Sequence, residues 1–125
     1  MGKLYKVSFD EHAGIVIVQL TGEATHEDHS AARDDAVQLC LEKKCSKLLV
    51  DLRDLVTNLS STLSCFSFGE LLAKISPLLY IAHVLPTDAK SVKDVIFTSN
   101  VEANRGLLTR EFSNVDEARH WLLQR

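Results

Sequence analysis

The polar run Asn58, Ser60, Ser61, Thr62 and Ser64 gathers hydroxyls and an amide in one short segment. It follows an apolar stretch that ends in Asp51 and precedes a helical pattern that begins near Phe68. A loop at the carboxyl end of a strand and the amino end of a helix is where open α/β sheets usually hold ligands. Free backbone N–H groups there favour an anion, such as a phosphate on Ser60 or an acidic group of a partner. Simple capping of the helix by serine and threonine accounts for the same residues without any ligand, and is the commoner use of such positions.

Other groups have chemical potential with weaker patterns. Thr25-His26-Glu27-Asp28-His29 sets two histidines three apart on one helical turn, the beginning of a metal site. It lacks the HExxH spacing of a zinc peptidase and a third ligand, so an exposed, capped first turn is the preferred reading. Asp51 and Arg53 fall on one side of a strand end, with Asp54 next. They can pair or contact a ligand, and pairing is preferred. His83 lies inside an apolar run, where a hydrogen-bonded core histidine is expected before a general base. Cys40, Cys45 and Cys65 form no CxxC motif and read as reduced thiols. A reactive thiol would need a specific basic neighbour. No GxSxG, Walker loop or dinucleotide fingerprint occurs, and no spacing joins serine, histidine and aspartate into a triad. No catalytic residue, cofactor or bound metal is expected.

The elements that must position these residues follow from hydrophobic periodicity. Tyr5, Val7 and Phe9 alternate with Lys6, Ser8 and Asp10, which predicts a half-buried strand. Glu11–Gly14 is a turn, and Ile15–Leu20 a more central strand forming an antiparallel hairpin with the first. Thr25 with Asp28 three residues on is a capping box for a helix whose apolar face is Ala32, Ala36, Leu39 and Cys40. A strand over Lys47–Leu52, a loop over Arg53–Ser61 and a second helix through Phe68, Leu71, Leu72 and Ile75 follow, the helix stopped by Pro77. Leu78–Leu85 is the most buried strand by composition. Thr87 or Asp88 caps a third helix through Val92, Val95, Ile96 and Ser99, and Gly106 ends it. A last strand over Leu107–Phe112 leads to a fourth helix capped by Ser113, with Ala118, Trp121 and Leu122 on its apolar face. The order β-β-α-β-α-β-α-β-α implies a single α/β domain with a five-stranded, mostly parallel mixed sheet.

Composition narrows the classes of function. At 125 residues, 46% hydrophobic and 25% charged, the chain fits one globular domain. A net charge of −3 is a poor match to the phosphate backbone, so no nucleic-acid partner is expected. No stretch is apolar enough to span a membrane, and the amino terminus lacks the apolar core of a signal peptide. A cytoplasmic location is expected. Met1-Gly2 resembles a myristoylation start, but Lys6 stands where serine or threonine is required.

This order, with Val18-Gln19-Leu20-Thr21-Gly22-Glu23, Leu49-Val50-Asp51-Leu52-Arg53, Asn104-Arg105-Gly106-Leu107 and the ending Phe112-Ser113 to Trp121-Leu122, resembles the STAS domain. The closer likeness is to its small bacterial SpoIIAA-like, or STAS/Sec14-like, group. The resemblance covers nearly the whole chain and implies a non-catalytic regulatory or scaffolding domain that binds a protein partner. In regulatory STAS domains a kinase partner phosphorylates a serine in the loop after the strand ending in Asp-Leu. The family spacing from Asp51 lands on Ser60, with Leu59 where the family has aspartate and Thr62 where it has glycine. The Sec14-like comparison implies an alternative, a carrier or sensor whose apolar pocket for a small or lipid-like ligand is lined by Cys65, Phe66 and Phe68. The core, or the face of a homodimer, accounts for those three residues equally well.

Overall fold

The computed structural model describes residues 4–23, 25–55, 80–87, 89–104 and 108–125. Their elements are β1 (Tyr5–Asp10), β2 (Ile15–Leu20), α1 (His26–Lys43), β3 (Lys47–Asp51), β4 (Tyr80–Val84), α2 (Ala89–Asn104), β5 (Leu108–Phe112) and α3 (Val115–Leu123). The helix expected through Phe68–Ile75 lies outside the described residues. The five strands form one sheet in the order β1-β2-β3-β4-β5. β1 and β2 are antiparallel, and every later pair is parallel. The fold class is therefore α/β with a mixed sheet, as the alternating pattern predicts.

The hairpin turn is built by Asp10. Its Oδ1 accepts from the His12 and Ala13 backbone N–H groups at 3.1 Å each. The Gly14 N–H closes the turn on the Asp10 carbonyl at 2.8 Å, and Gly14 takes the left-handed φ of +68° that its missing Cβ permits. The turn fixes the register Asp10↔Ile15 through Tyr5↔Leu20. This register decides which β2 side chains face which layer, because a slip of one residue would invert them all.

Two apolar layers result. One face of the sheet carries Val16, Val18, Leu48, Val50 and Ile81, packed with Ala32, Ala36 and Cys40 of α1 and Val95 of α2. The other carries Ile15, Leu49, Ala82, Val84 and Phe112, covered by Ala118 and Leu122 of α3. The central strands are apolar on both faces for this reason. α1 begins with the expected capping box: the Thr25 hydroxyl accepts from Asp28 N–H, and the Asp28 carboxylate accepts from Thr25 N–H at 2.8 Å.

Three local expectations are corrected. α3 is capped by Asn114, not Ser113: the Asn114 side chain accepts from Glu117 N–H at 2.8 Å. Both residues are sound N-caps, and the strand's end at Phe112 puts the extended φ/ψ at Asn114. Ile96 is 40% exposed, because Val95 is the residue of that turn that enters the core. His29 is 4% exposed, so the first turn of α1 is not wholly solvated. It occupies the stripe that continues through Ala32, Ala36 and Cys40 at helical spacing.

Candidate functional site

Alternation along β2 and β3 turns Gln19 and Asp51 to the face that α3 covers, at the carboxyl ends of both strands. Asp51 is only 5% exposed. A carboxylate buried so deeply needs a partner to stay ionised. Arg53 supplies it in a two-pronged grip: Nε donates to Oδ1 and Nη2 to Oδ2, both at 3.0 Å. The Arg53 backbone N–H adds a bond to Oδ1 at 3.2 Å, and Gln19 Nε2 a long one to Oδ2 at 3.5 Å. Burial pushes the Asp51 carboxyl up, but the Arg53 guanidinium and backbone N–H together outweigh it and hold the group below the ordinary aspartate value. Arg53 is raised in turn, first by its hydrogen bond to Asp51, with Asp54 and Asp116 adding smaller contributions. The arrangement is an anchor. Both carboxylate oxygens of Asp51 are engaged.

What Asp51 anchors is the chain leaving β3. Leu52 N–H donates to the Val84 carbonyl at 3.0 Å, and Gly22 N–H to the Asp54 carbonyl at 2.9 Å. A bridge pairs Gly22 with Leu55, itself fully buried. Gly22 reaches this contact with φ +59°, a conformation that costs glycine least. Residues 52–55 are thus bound to both neighbouring strand ends. The candidate contact residues Asn58, Ser60, Ser61 and Thr62 follow in the chain and lie outside the described residues, as do Cys65, Phe66 and Phe68.

A second feature escapes a reading of the sequence. α3 lies mainly over β4, and β5 is the last strand of the sheet. Between them opens a cleft of about 430 Å³ lined by Arg110, Phe112, Asp116, Glu117, His120, Trp121 and Gln124. Trp121 packs edge-on to Tyr80, with ring centroids 6.1 Å apart, and at a tilt to Phe112 at 5.7 Å. The Arg110 guanidinium covers Phe112 at 5.3 Å from its centroid, a cation–π distance. Of the three residues that the sequence puts on the apolar face of this helix, Ala118 and Leu122 take core positions, and Trp121 is half-buried and forms one wall of the cleft. The available signal was the spacing 116/117, 120/121, 124 on one helix stripe beside an alternating Arg110 and Phe112. Amphipathic periodicity alone cannot tell a stripe that meets the core from one that overhangs the sheet's edge.

The remaining candidates are dispersed. His83 is 3% exposed and sits between Val50 and Glu111 on the neighbouring strands. Cys40 and Cys45 are buried at the far end of α1. Among the described residues no group of three or more histidine, cysteine or acidic side chains is placed to hold a metal ion, and no helix is long and apolar enough to cross a membrane. Compared with protein-family models the chain finds no match, and compared with curated proteins it finds none either.

Proposed function

We propose that the chain is a non-catalytic protein-interaction domain of STAS type, regulatory or scaffolding in role, whose contact surface is built on the segment after β3. One observation carries this reading: the Asp51–Arg53 anchor and the Gly22–Leu55 bridge hold residues 52–55 rigidly at the carboxyl edge of the sheet, immediately before the polar run from Asn58 to Ser64. A recognition loop gains affinity when its base does not have to be ordered on binding. The carboxyl edge is also where open α/β sheets present their ligands. The order of elements, a leading hairpin followed by parallel strands and alternating helices, supports the STAS likeness. Asp51 and Arg53 serve in this reading as positioning residues, and Ser60 or Ser61 as the contact or phosphoacceptor.

The test is capture of partners from the native host's cytoplasmic extract by the wild-type chain and by a Ser60→Asp, Ser61→Asp variant. Added charge in the loop, about −1 per substitution against −1.5 to −2 for a phosphate, should abolish capture while circular dichroism stays unchanged. Equal capture by the folded variant rules the loop out. Native mass spectrometry separates the competing carrier reading: a stoichiometric apolar adduct on the purified chain would favour a small-ligand pocket, and a doubled mass a homodimer.

A further inference from the structure

We propose that Cys40 and Cys45 form an oxidisable pair that closes to a disulfide across the carboxyl end of α1. The geometry of the helix end brings them together. Lys44 takes the left-handed conformation at φ 50° and ψ 43°, and its N–H reaches the Leu41 carbonyl at 3.4 Å. Cys45 N–H donates back to the Cys40 carbonyl at 2.9 Å. This pair of bonds is the Schellman turn, in which the residues now held by Cys40 and Cys45 face one another. With a 2.9 Å hydrogen bond between them, standard bond lengths limit the Cα–Cα separation to about 6.8 Å, and the bend at the donor shortens it further. Disulfides span about 4.4–6.8 Å. Both residues belong to the same buried apolar cluster, and the side chains at these two positions of a Schellman turn commonly touch.

The reaction needs an oxidant, and a peroxide suffices. Cys45 is the more accessible thiol, 9% exposed against 1% for Cys40. Its sulfur lies 3.1 Å from the carbonyls of Gly14 and Lys47. Fraying of the last helical turn admits the oxidant. The Cys45 sulfur attacks one peroxide oxygen: an S–O bond forms, the O–O bond breaks and water leaves, giving a sulfenic acid. The Cys40 sulfur then attacks the Cys45 sulfur: the S–S bond forms, the S–O bond breaks and a second water leaves. Two thiols lose two electrons and two protons in all, and one hydrogen peroxide becomes two waters. Burial first, and the neighbouring Cys45 second, push the Cys40 thiol up to about 12. The second step therefore quickens as pH rises, since the thiolate is the attacking form. This site stands apart from the loop of the proposed function and fails or holds independently of it.

The experiment uses the full chain carrying Cys65→Ser, treated with hydrogen peroxide and quenched with iodoacetamide. The expected product has lost two hydrogen atoms by intact mass, takes no alkyl label, yields a Cys40–Cys45 cross-linked peptide, and reverts with dithiothreitol. Its formation rate should climb between neutral and mildly alkaline pH. Cys40→Ala should leave Cys45 to accumulate as a sulfenic acid trappable by dimedone, a readout that needs no disulfide. Oxygen addition to both thiols without cross-linking overturns the proposal. So does a folded chain that stays fully reduced while its urea-unfolded form oxidises.

Discussion

Asp51 shows how a single residue reads differently once its surroundings are known. An acid at a strand end can be a base, a ligand or a brace, and the two-pronged contact with Arg53 makes it a brace. Removing Arg53 leaves a buried carboxylate with one backbone donor and a distant amide. Arg53 is itself 48% exposed, so solvent screens part of the pairing. We expect Arg53→Ala to cost about 1–2 kcal/mol at neutral pH, measured by urea unfolding. The same contact sets a pH dependence. Asp51 and Asp10 are both held below the ordinary aspartate value, Asp51 against its burial by Arg53, and Asp10 chiefly by its 2.7 Å bond to Arg119. A depressed carboxyl contributes stability that is complete above the unfolded value of about 3.9 and is lost as pH falls through the lower folded value. The contribution of these two carboxyls should therefore be complete down to about pH 5 and be lost below about pH 4. In Arg53→Ala burial of Asp51 is opposed only by the residue-53 backbone N–H and the Gln19 amide, and the decline should start at higher pH. An unchanged acid profile in that variant would count against the brace.

At the scale of elements, the helix ends carry the clearest tests. The Thr25–Asp28 capping box was legible because it needs only residues three apart, and Thr25→Ala should cost about 1 kcal/mol. The cap of α3 was not legible. Ser113 and Asn114 are equal candidates by type, and the choice falls to where β5 stops pairing with β4. Asn114→Ala should cost about 1 kcal/mol, and Ser113→Ala should stay within about 0.5 kcal/mol, as exposed substitutions do. Thermal unfolding of the two variants side by side decides between the caps. On the same helix, Leu122→Ala removes a fully buried side chain and should cost about 2–5 kcal/mol. Trp121→Ala leaves a wall of an open cleft and should cost less than a fully enclosed tryptophan would, about 2–3 kcal/mol.

Over the whole molecule the sheet separates two packed layers, with α1 and α2 on one face and α3 on the other. Leu48 and Leu49 are adjacent in the chain and enter opposite layers. The Asp10–Arg119 ion pair ties the hairpin turn to α3 across residues far apart in sequence. Because the sheet separates the two layers, damage to each should be nearly independent. The double variant Leu48→Ala, Leu122→Ala should lose the sum of the single losses within about 0.5 kcal/mol. A large excess or shortfall in the urea double-mutant cycle would mean that the layers repack together.

The order of the described elements, the hairpin, the capping box and the largely parallel sheet were all written in local patterns: a period of two, a period of 3.6, and cap residues at fixed offsets. These depend on a few neighbouring residues, so the chain's own order specifies them. The proximity of Asp51 and Arg53 belongs in this group too, since they are two residues apart and Arg53 lies in the turn that follows the strand. Other features required the folded sheet. Gln19 reaches Asp51 only because β2 and β3 pair in a particular register. The cleft exists because α3 settles over β4 and leaves the face of the last strand open. The burial of His29 and the exposure of Ile96 depend on how each helix is rotated against the sheet. Such features arise from contacts between residues distant in sequence, where close packing selects one arrangement among several that the hydrophobic pattern allows equally.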